Sequence, residues 1–132
     1  MLDKILCVDD DAITLMLCKK VIIKTGFSKE TITAQNGEEA LKYFDNIAEN
    51  TDNTTLPQLI FLDLNMPILG GWEFLDIFSE PKYSSFNKTK IVVLSSTIDP
   101  EDLEKAKKYP MVIDFLSKPI SVSMLDYLNS KI

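Results

Sequence analysis

Side chains that could bind a metal ion and a phosphate group follow four apolar segments of this chain. Asp63 ends one apolar run, and Asp9-Asp10-Asp11 follow another near the start of the sequence. Ser95 follows a third run, and Lys118 comes shortly after a fourth. Short apolar runs of this kind are typical of buried strands; these occupy residues 59–62, 5–8, 91–94 and 111–113. The sequence therefore predicts carboxylates, a hydroxyl and a lysine at the ends of four strands.

These side chains would form one site if the strands are parallel neighbours. The carboxyl ends of parallel strands share a crevice in which ligands bind. Carboxylates of Asp9, Asp10 and Asp63 would repel one another there, and a hard divalent cation such as Mg²⁺ would relieve the repulsion. Lys118 would supply a positive charge, and Ser95 a hydroxyl, for the oxygens of an incoming phosphate. Asp63 could then act as a nucleophile, since carboxylates do form aspartyl-phosphate intermediates.

Composition and charge narrow the class of protein. The chain has 132 residues, 45% hydrophobic and 26% charged, which is typical of one globular domain, and we expect a single domain over residues 1–132. The net charge of −6 argues against nucleic-acid binding and membrane-surface binding, both of which need clustered positive charge. The sequence contains no histidine, which excludes a Ser-His-Asp triad, a histidine–zinc site and a phosphohistidine on this chain.

Strand-like and helix-like segments alternate along the chain. Strands are predicted at 5–8, 31–34, 59–62, 91–94 and 111–113, and helices at about 11–25, 36–49, 70–79, 99–109 and after Pro119. Asp11, Asn36 and Asp99 are predicted helix caps, and Gly26 a helix stop. Residues 50–57 and 81–89 are expected to be loops. This alternation predicts an α/β fold with a doubly wound, five-stranded parallel sheet covered by five helices.

The cysteines and the lack of long apolar runs favour a cytoplasmic protein. Cys7 and Cys18 lie within apolar patterns, so we interpret them as buried free thiols of a cytoplasmic protein. Because the chain opens directly into a predicted strand, we expect no signal peptide. No apolar run approaches the ~20 residues of a membrane span. Because the sequence ends soon after the fifth predicted helix, we expect no DNA-binding or enzymatic output domain on this chain.

Along essentially its whole length the chain resembles the receiver domain of two-component response regulators, such as the single-domain chemotaxis regulators. The resemblance rests on four motifs in order, each at a strand end: Val8-Asp9-Asp10, Leu62-Asp63-Leu64-Asn65-Met66-Pro67, Ser95-Ser96 and Ser117-Lys118-Pro119. It implies the flavodoxin-like receiver fold. It also implies that Asp63 is the phosphorylated residue, in a Mg²⁺-dependent reaction without any other cofactor.

The resemblance assigns further roles. Asp10 and Asp63 would be direct Mg²⁺ ligands, joined by the backbone carbonyl of Asn65, and Asp9 would be a ligand acting through water. Asp11, the additional acid, is interpreted as a helix cap.

Three other residues would respond to the phosphoryl group. Lys118 would pair with it, and the Lys118–Pro119 peptide bond is expected to be cis. Ser95, where threonine is also common, would move its hydroxyl onto the phosphoryl oxygens. Phe115 occupies the aromatic switch position, where many members carry tyrosine, and would move inward behind Ser95.

The function implied is that of a signalling switch rather than a metabolic enzyme. The donor would be a phosphohistidine on a sensor histidine kinase or a histidine phosphotransfer protein, and the signal would pass to an unknown downstream protein. A stand-alone regulator and a fragment of a longer chain both fit the sequence.

The first predicted helix is apolar on nearly every side, and a helix of that kind is either buried or binds a partner. Deep packing of the whole helix would explain the pattern. The alternative is that Ile13 and Leu17 face solvent and form, with Ile120, an exposed apolar patch that meets the phosphohistidine protein.

Two other classes of protein share parts of this pattern. A haloacid-dehalogenase-like phosphatase also has a nucleophilic aspartate at a strand end, and Asp9-x-Asp11 imitates its motif, but Ile13 stands where a hydroxyl residue or valine is expected. A flavodoxin-like FMN-binding module would need a Ser/Thr/Gly phosphate loop after the first strand, where this chain has three acids.

Overall fold

The computed structural model describes residues 2–49 and 56–132. The strands are β1 (Leu2–Val8), β2 (Ser28–Ala34), β3 (Leu59–Asp63), β4 (Lys90–Ser95) and β5 (Val112–Ser117). The α-helices are α1 (Ala12–Thr25), α2 (Gly37–Glu49), α3 (Gly71–Phe78), α4 (Pro100–Ala106) and α5 (Val122–Asn129), and a 3₁₀ helix spans Pro81–Phe86. None of the helices in these two described ranges is long and apolar enough to cross a membrane.

The five strands form one parallel sheet in the order β2-β1-β3-β4-β5. Side chains alternate between its two faces along each strand, so Ile5 and Cys7 face α1 and α5, whereas Leu6 and Val8 face α2 and α3. A smaller cluster around Phe115 includes Ala106 of α4. The predicted α/β fold with a doubly wound parallel sheet is confirmed.

Local signals place the starts of α1, α2 and α4, and the end of α1, where the sequence predicted them. The Asp11 carboxylate accepts the backbone N–H of Ile13 at the start of α1, and Gly26 ends that helix in the left-handed region at φ 65°. Asn36 accepts the backbone N–H of Glu39 at the start of α2. Asp99 caps α4 in the same way, followed by proline at the first helical position. These side chains satisfy amide groups that have no partner within the helix.

The segment 81–86 differs from its predicted conformation. The sequence predicted a loop there, but Pro81–Phe86 forms a 3₁₀ helix. Tyr83 and Phe86 are buried, and their rings lie near those of Phe44 and Phe78 in an aromatic cluster. This packing holds an otherwise polar connection against the sheet. Of the predicted loop at 50–57, residues 50–55 lie outside the described part of the chain.

Two elements near the carboxyl terminus also differ from prediction. Strand β5 continues to Ser117 instead of ending near Ile113, and α4 ends at Ala106 rather than near Tyr109. After Ala106 the chain tightens into a turn, in which the Tyr109 N–H donates to the Ala106 carbonyl. The Tyr109 ring stacks on Trp72, which is half-buried rather than fully in the core.

Candidate functional site

The sheet order brings the four sequence motifs to one edge. Asp9 follows β1, Asp63 ends the neighbouring β3, Ser95 ends β4 and Lys118 follows β5. The Lys118 N–H donates to the Ser95 carbonyl over 2.8 Å, which joins the last two strand ends. All four strands run in the same direction, so their carboxyl ends open into a common crevice, as expected for this architecture.

Three carboxylates form a compact group in this crevice. One carboxylate oxygen from each of Asp9, Asp10 and Asp63 lies within 4.8 Å of the others. Asp9 and Asp63 are each only 5% exposed, whereas Asp10 is exposed to solvent. Hard oxygen ligands at this spacing suit a divalent cation such as Mg²⁺.

Lys118 lies between two of these acids. Its Nζ donates to Asp9 Oδ2 over 2.7 Å and lies 3.4 Å from Asp63 Oδ1. The other Asp9 oxygen, Oδ1, accepts the backbone N–H of Asp11 over 2.9 Å. Both oxygens of Asp9 therefore have partners, and the lysine neutralises part of the acidic charge. The peptide bond from Lys118 to Pro119 is cis, as predicted.

Burial and neighbouring charges shift the pKa values of Asp63 and Lys118. Burial raises the pKa of Asp63, the Asp9 carboxylate raises it further, and the Lys118 ammonium partly opposes both. Burial alone would lower the pKa of Lys118, but its hydrogen bond to Asp9 and the charges of Asp9 and Asp63 outweigh that effect and raise it. Asp63 is thus less acidic than an exposed aspartate, and Lys118 stays protonated.

The start of α3 approaches the end of β3 closely. A Cβ atom at Gly71 would lie 2.5 Å from the Asp63 carbonyl oxygen, so a side chain there requires the backbone to shift. The Gly71 N–H donates to the Leu64 carbonyl over 2.9 Å. Gly71 therefore allows the tight turn that follows Asp63.

Ser95 ends β4, and Phe115 lies within the neighbouring β5. The Ser95 hydroxyl is buried and donates to the Thr97 carbonyl over 2.6 Å. Phe115 is only 9% exposed and packs with Leu64 and Val93. In this structure the Phe115 ring already lies in the interior beside these apolar neighbours, and its inward movement on phosphorylation stays a prediction.

The apolar patch predicted beside the site is present only in part. Ile13 and Leu17 are 64% and 48% exposed on α1. Ile120 is 9% exposed and packs into the core with Leu125 of α5. The placement of Ile120 in the patch is therefore wrong, since burying its side chain under α5 removes it from the surface.

A cavity of about 340 Å³ extends from the acidic pocket beneath α1. Asp9, Asp63 and Lys118 line it, and so do the buried thiols of Cys7 and Cys18. The sequence predicted both cysteines as buried free thiols, and that is confirmed. It did not predict their proximity, which depends on how α1 packs on β1.

The exposed Ile68 in the turn after β3 has φ 69° and is 73% exposed. A β-branched residue in the left-handed region is strained. No local pattern predicts a left-handed conformation at Ile68, because that conformation usually accompanies glycine or asparagine.

Comparison with solved structures shows where the fold recurs. A two component response regulator from Cytophaga hutchinsonii is 31% identical, with a TM-score of 0.88 over 98% of this chain and 96% of that chain. The chemotaxis response regulator CheY4 of Vibrio cholerae, at 24% identity and a TM-score of 0.75 over 99% and 98% of the two chains, is similar in fold.

Similar sequences are found in longer proteins. Hybrid signal transduction histidine kinase I of Dictyostelium discoideum is 27% identical over 98% of this chain, which spans only 7% of that protein. The probable methanogenesis regulatory protein FilR2 of Methanothrix harundinacea is 30% identical over 89% of this chain and 72% of its own length. The sequence model of the response regulator receiver domain matches residues 5–128. The chain therefore belongs to the response regulator receiver domain family and is, as such, part of two-component signal transduction.

Proposed function

We propose that Asp63 accepts a phosphoryl group from a phosphohistidine on a partner protein and that the chain switches conformation in response. The observation that carries this proposal is the arrangement around Asp63: two further carboxylates lie close to it, and the Lys118 ammonium lies 3.4 Å away. Phosphoryl transfer depends mainly on positioning and on charge neutralisation. The carboxylates of this pocket could hold a metal ion, and its lysine ammonium could neutralise phosphoryl charge.

The acidic cluster fits a magnesium ion. Asp10 and Asp63 would bind it directly, with the backbone carbonyl of Asn65, because hard oxygen ligands suit Mg²⁺. Asp9 would act through water, since its two oxygens already accept hydrogen bonds from Asp11 and Lys118. When bound, the ion would neutralise negative charge on the transferred phosphoryl group.

The protein's own residues would act in a defined order. A carboxylate oxygen of Asp63 would attack the phosphorus, and the phosphorus–nitrogen bond of the phosphohistidine would break. Lys118 would exchange its 2.7 Å contact with Asp9 for a phosphoryl oxygen. The Ser95 hydroxyl would leave the Thr97 carbonyl, its present acceptor at 2.6 Å, and donate to another phosphoryl oxygen.

The conformational change would begin at Ser95. Phe115, which is already buried, would complete its inward movement behind Ser95. Withdrawing the Ser95 hydroxyl from Thr97 would also move the loop before α4. Couplings of this kind are typically ~1–3 kcal/mol.

The wider function follows from the same site. We propose a signalling switch rather than a metabolic enzyme, with residues 1–132 acting as one receiver domain in the cytoplasm. Receiver domains pair with histidine kinases, so the donor would be a sensor histidine kinase or a histidine phosphotransfer protein. The downstream target would be a protein that distinguishes the two states, with neither nucleic acid nor membrane bound through this chain.

Binding of beryllofluoride, a mimic of the phosphoryl group, tests the proposal. We expect the mimic to bind only when Mg²⁺ is present and to change the NMR signals of Ser95 and its neighbours. Binding without Mg²⁺ dependence would contradict the proposed metal site. A purified protein with flavin absorbance, or one that steadily hydrolyses phosphate monoesters, would favour the FMN-binding or phosphatase alternative.

A further inference from the structure

The two cysteines of the chain lie side by side in the core. Cys7 is on β1 and Cys18 is on α1, and their Sγ atoms are 3.5 Å apart. Both residues are buried, at 2% and 4% exposure. The chain contains only these two cysteines. Packing of α1 on β1 thus places the two thiols of this chain within hydrogen-bonding distance of each other.

A route leads from solvent to this pair. Both cysteines line the cavity of about 340 Å³ that also reaches Asp63, Lys118 and Leu17. Leu17 is half exposed, so the cavity reaches the molecular surface beside the acidic pocket. A space of this size admits a small polar molecule, because one water needs only ~30 Å³.

We propose that Cys7 and Cys18 are a site of oxidative modification, at which a small hydroperoxide converts the two thiols to an intramolecular disulfide. One sulfur, on losing its proton, attacks an oxygen of the hydroperoxide; the O–O bond breaks, leaving a sulfenic acid and releasing an alcohol or water that takes up the proton. The second sulfur attacks the sulfenic sulfur, the S–O bond breaks, and water leaves with the second proton. The thiols lose two electrons and the hydroperoxide gains them.

The geometry favours the disulfide once the reaction begins. The sulfurs lie 3.5 Å apart and would need to approach to about 2.0 Å, the length of a disulfide bond. Both thiols are buried, so we expect the first step to be slow. The reaction is therefore followed to its end point rather than through its initial rate.

The disulfide would also affect the acidic pocket. Cys7 is two residues before Asp9, and α1 begins immediately after the acids at positions 9–11. A covalent link between β1 and α1 would fix these two elements under the pocket. This consequence rests on the proposed function, and we expect a several-fold change in the rate of phosphorylation by acetyl phosphate.

The experiment uses the folded protein and hydrogen peroxide. After prolonged exposure the peroxide is removed, and the protein is unfolded in denaturant in the presence of iodoacetamide, which alkylates free thiols. We expect a monomer that has lost two hydrogens at the cysteines and takes up no alkyl label. Dithiothreitol should restore both labelling sites. Oxidised methionines add oxygen and are not restored by dithiothreitol, so the two products are distinct. Cys18→Ala, treated identically, should form no intramolecular disulfide.

A second measurement tests whether the fold itself favours the bond. Oxidised protein should unfold at a higher denaturant concentration than the same sample after reduction, whereas Cys18→Ala should show no such difference. The proposal is overturned if both thiols of the treated protein still take up label, if they link separate molecules, or if oxidation lowers the unfolding midpoint. Mass change at the cysteines is independent of phosphoryl uptake, so failure of this proposal and failure of the proposed function are distinguishable.

Discussion

At the scale of single residues, the pocket holds opposing charges in a small volume. Lys118 contacts Asp9 and lies near Asp63, where it offsets repulsion that a metal ion could also offset. The lysine and Mg²⁺ therefore compete for the same carboxylates, even though both are needed when a phosphoryl group arrives. Removing the lysine should therefore have opposite effects on metal binding and on phosphoryl transfer.

Lys118→Met should strengthen Mg²⁺ binding and slow phosphorylation. Removing the ammonium should lower the Mg²⁺ dissociation constant roughly tenfold. The corresponding free energy is a fraction of the ~4 kcal/mol repulsion between two like unit charges 4 Å apart near a protein surface. Titration calorimetry measures the first effect, and phosphorylation by acetyl phosphate measures the second. Lys82→Met, at an exposed lysine paired with Asp45, is the matched control and should change neither. Weaker Mg²⁺ binding by Lys118→Met would contradict this account of the pocket.

Asp63→Asn should stabilise the fold at neutral pH. Burial and the Asp9 carboxylate raise the pKa of Asp63, so the folded state favours its protonated form. That favourable contribution is present at low pH and is lost as the pH rises from the ordinary aspartate range through the raised pKa. At pH 7 the substitution should increase the free energy of unfolding by roughly 1 kcal/mol, and the gain should shrink as the pH falls toward that range.

Asp114→Asn provides a control with the opposite sign. Burial alone would raise the pKa of Asp114, but hydrogen bonds from Tyr127 and Lys131 outweigh that effect and lower it. Its contribution is present at neutral pH and is lost as the pH falls through the lowered pKa. Denaturant unfolding at several pH values should therefore show a loss for Asp114→Asn where Asp63→Asn shows a gain. Destabilisation by both substitutions at pH 7 would rule out the assigned charge balance around Asp63.

At the scale of elements, the turn between β3 and α3 carries backbone strain at Ile68. Its φ of 69° and its 73% exposure mean that the side chain contributes little packing to offset that strain. Ile68→Asn should raise the free energy of unfolding by roughly 1 kcal/mol, because asparagine tolerates the left-handed region better than a β-branched residue.

Gly26 gives the converse test with the same measurement. It has φ 65° at the end of α1, and a Cβ atom there would meet nothing within 4 Å. Gly26→Ala should thus lose stability through backbone conformation alone, by about 1–2 kcal/mol. Chemical denaturation of both variants compares the two signs directly, and an Ile68→Asn protein less stable than the wild type would show that the turn is not strained.

The surface of α1 is where a phosphohistidine partner is expected to dock. Ile13 is 64% exposed at the start of this helix, close to the acids. Ile13→Glu should slow phosphoryl transfer from the cognate phosphohistidine protein about tenfold or more, the range for a well-buried interface side chain. Acetyl phosphate needs no docking, so its reaction should be spared.

Ile23 is the matched control, because it is 68% exposed on the same helix but near its far end. Ile23→Glu should leave both reactions unchanged. Equal slowing of both donors by Ile13→Glu would indicate damage to the pocket rather than loss of docking, and the surface would need to be reassigned.

At the scale of the whole molecule, the sequence predicted the topology because its signals are local. Apolar runs mark the strands, and caps such as Asp11 and Asp99 mark the helix starts. The predicted acids and Lys118 do meet in one crevice, whereas the Ser95 hydroxyl donates to the Thr97 carbonyl. Their roles in binding metal and phosphoryl groups stay predictions until they are measured.

The features that the sequence did not predict depend on distant contacts. The 3₁₀ helix forms because Tyr83 and Phe86 pack on aromatic rings from other elements. Strand β5 extends past the polar Asp114, whose carboxylate is satisfied by Tyr127 and Lys131 of the carboxyl-terminal segment. The pairing of Cys7 with Cys18, like the burial of Ile120, likewise follows from packing that no local pattern reveals.

Intact mass after incubation with acetyl phosphate and Mg²⁺ tests the central claim most directly. The account predicts one added phosphoryl group on the wild-type protein. It also predicts none when Mg²⁺ is chelated, and none on folded Asp63→Asn, because asparagine keeps the shape of the side chain but loses the nucleophile. Stable phosphorylation of Asp63→Asn, or uptake by the wild type without Mg²⁺, would contradict the assignment of Asp63 as the phosphoryl acceptor in a metal-dependent site.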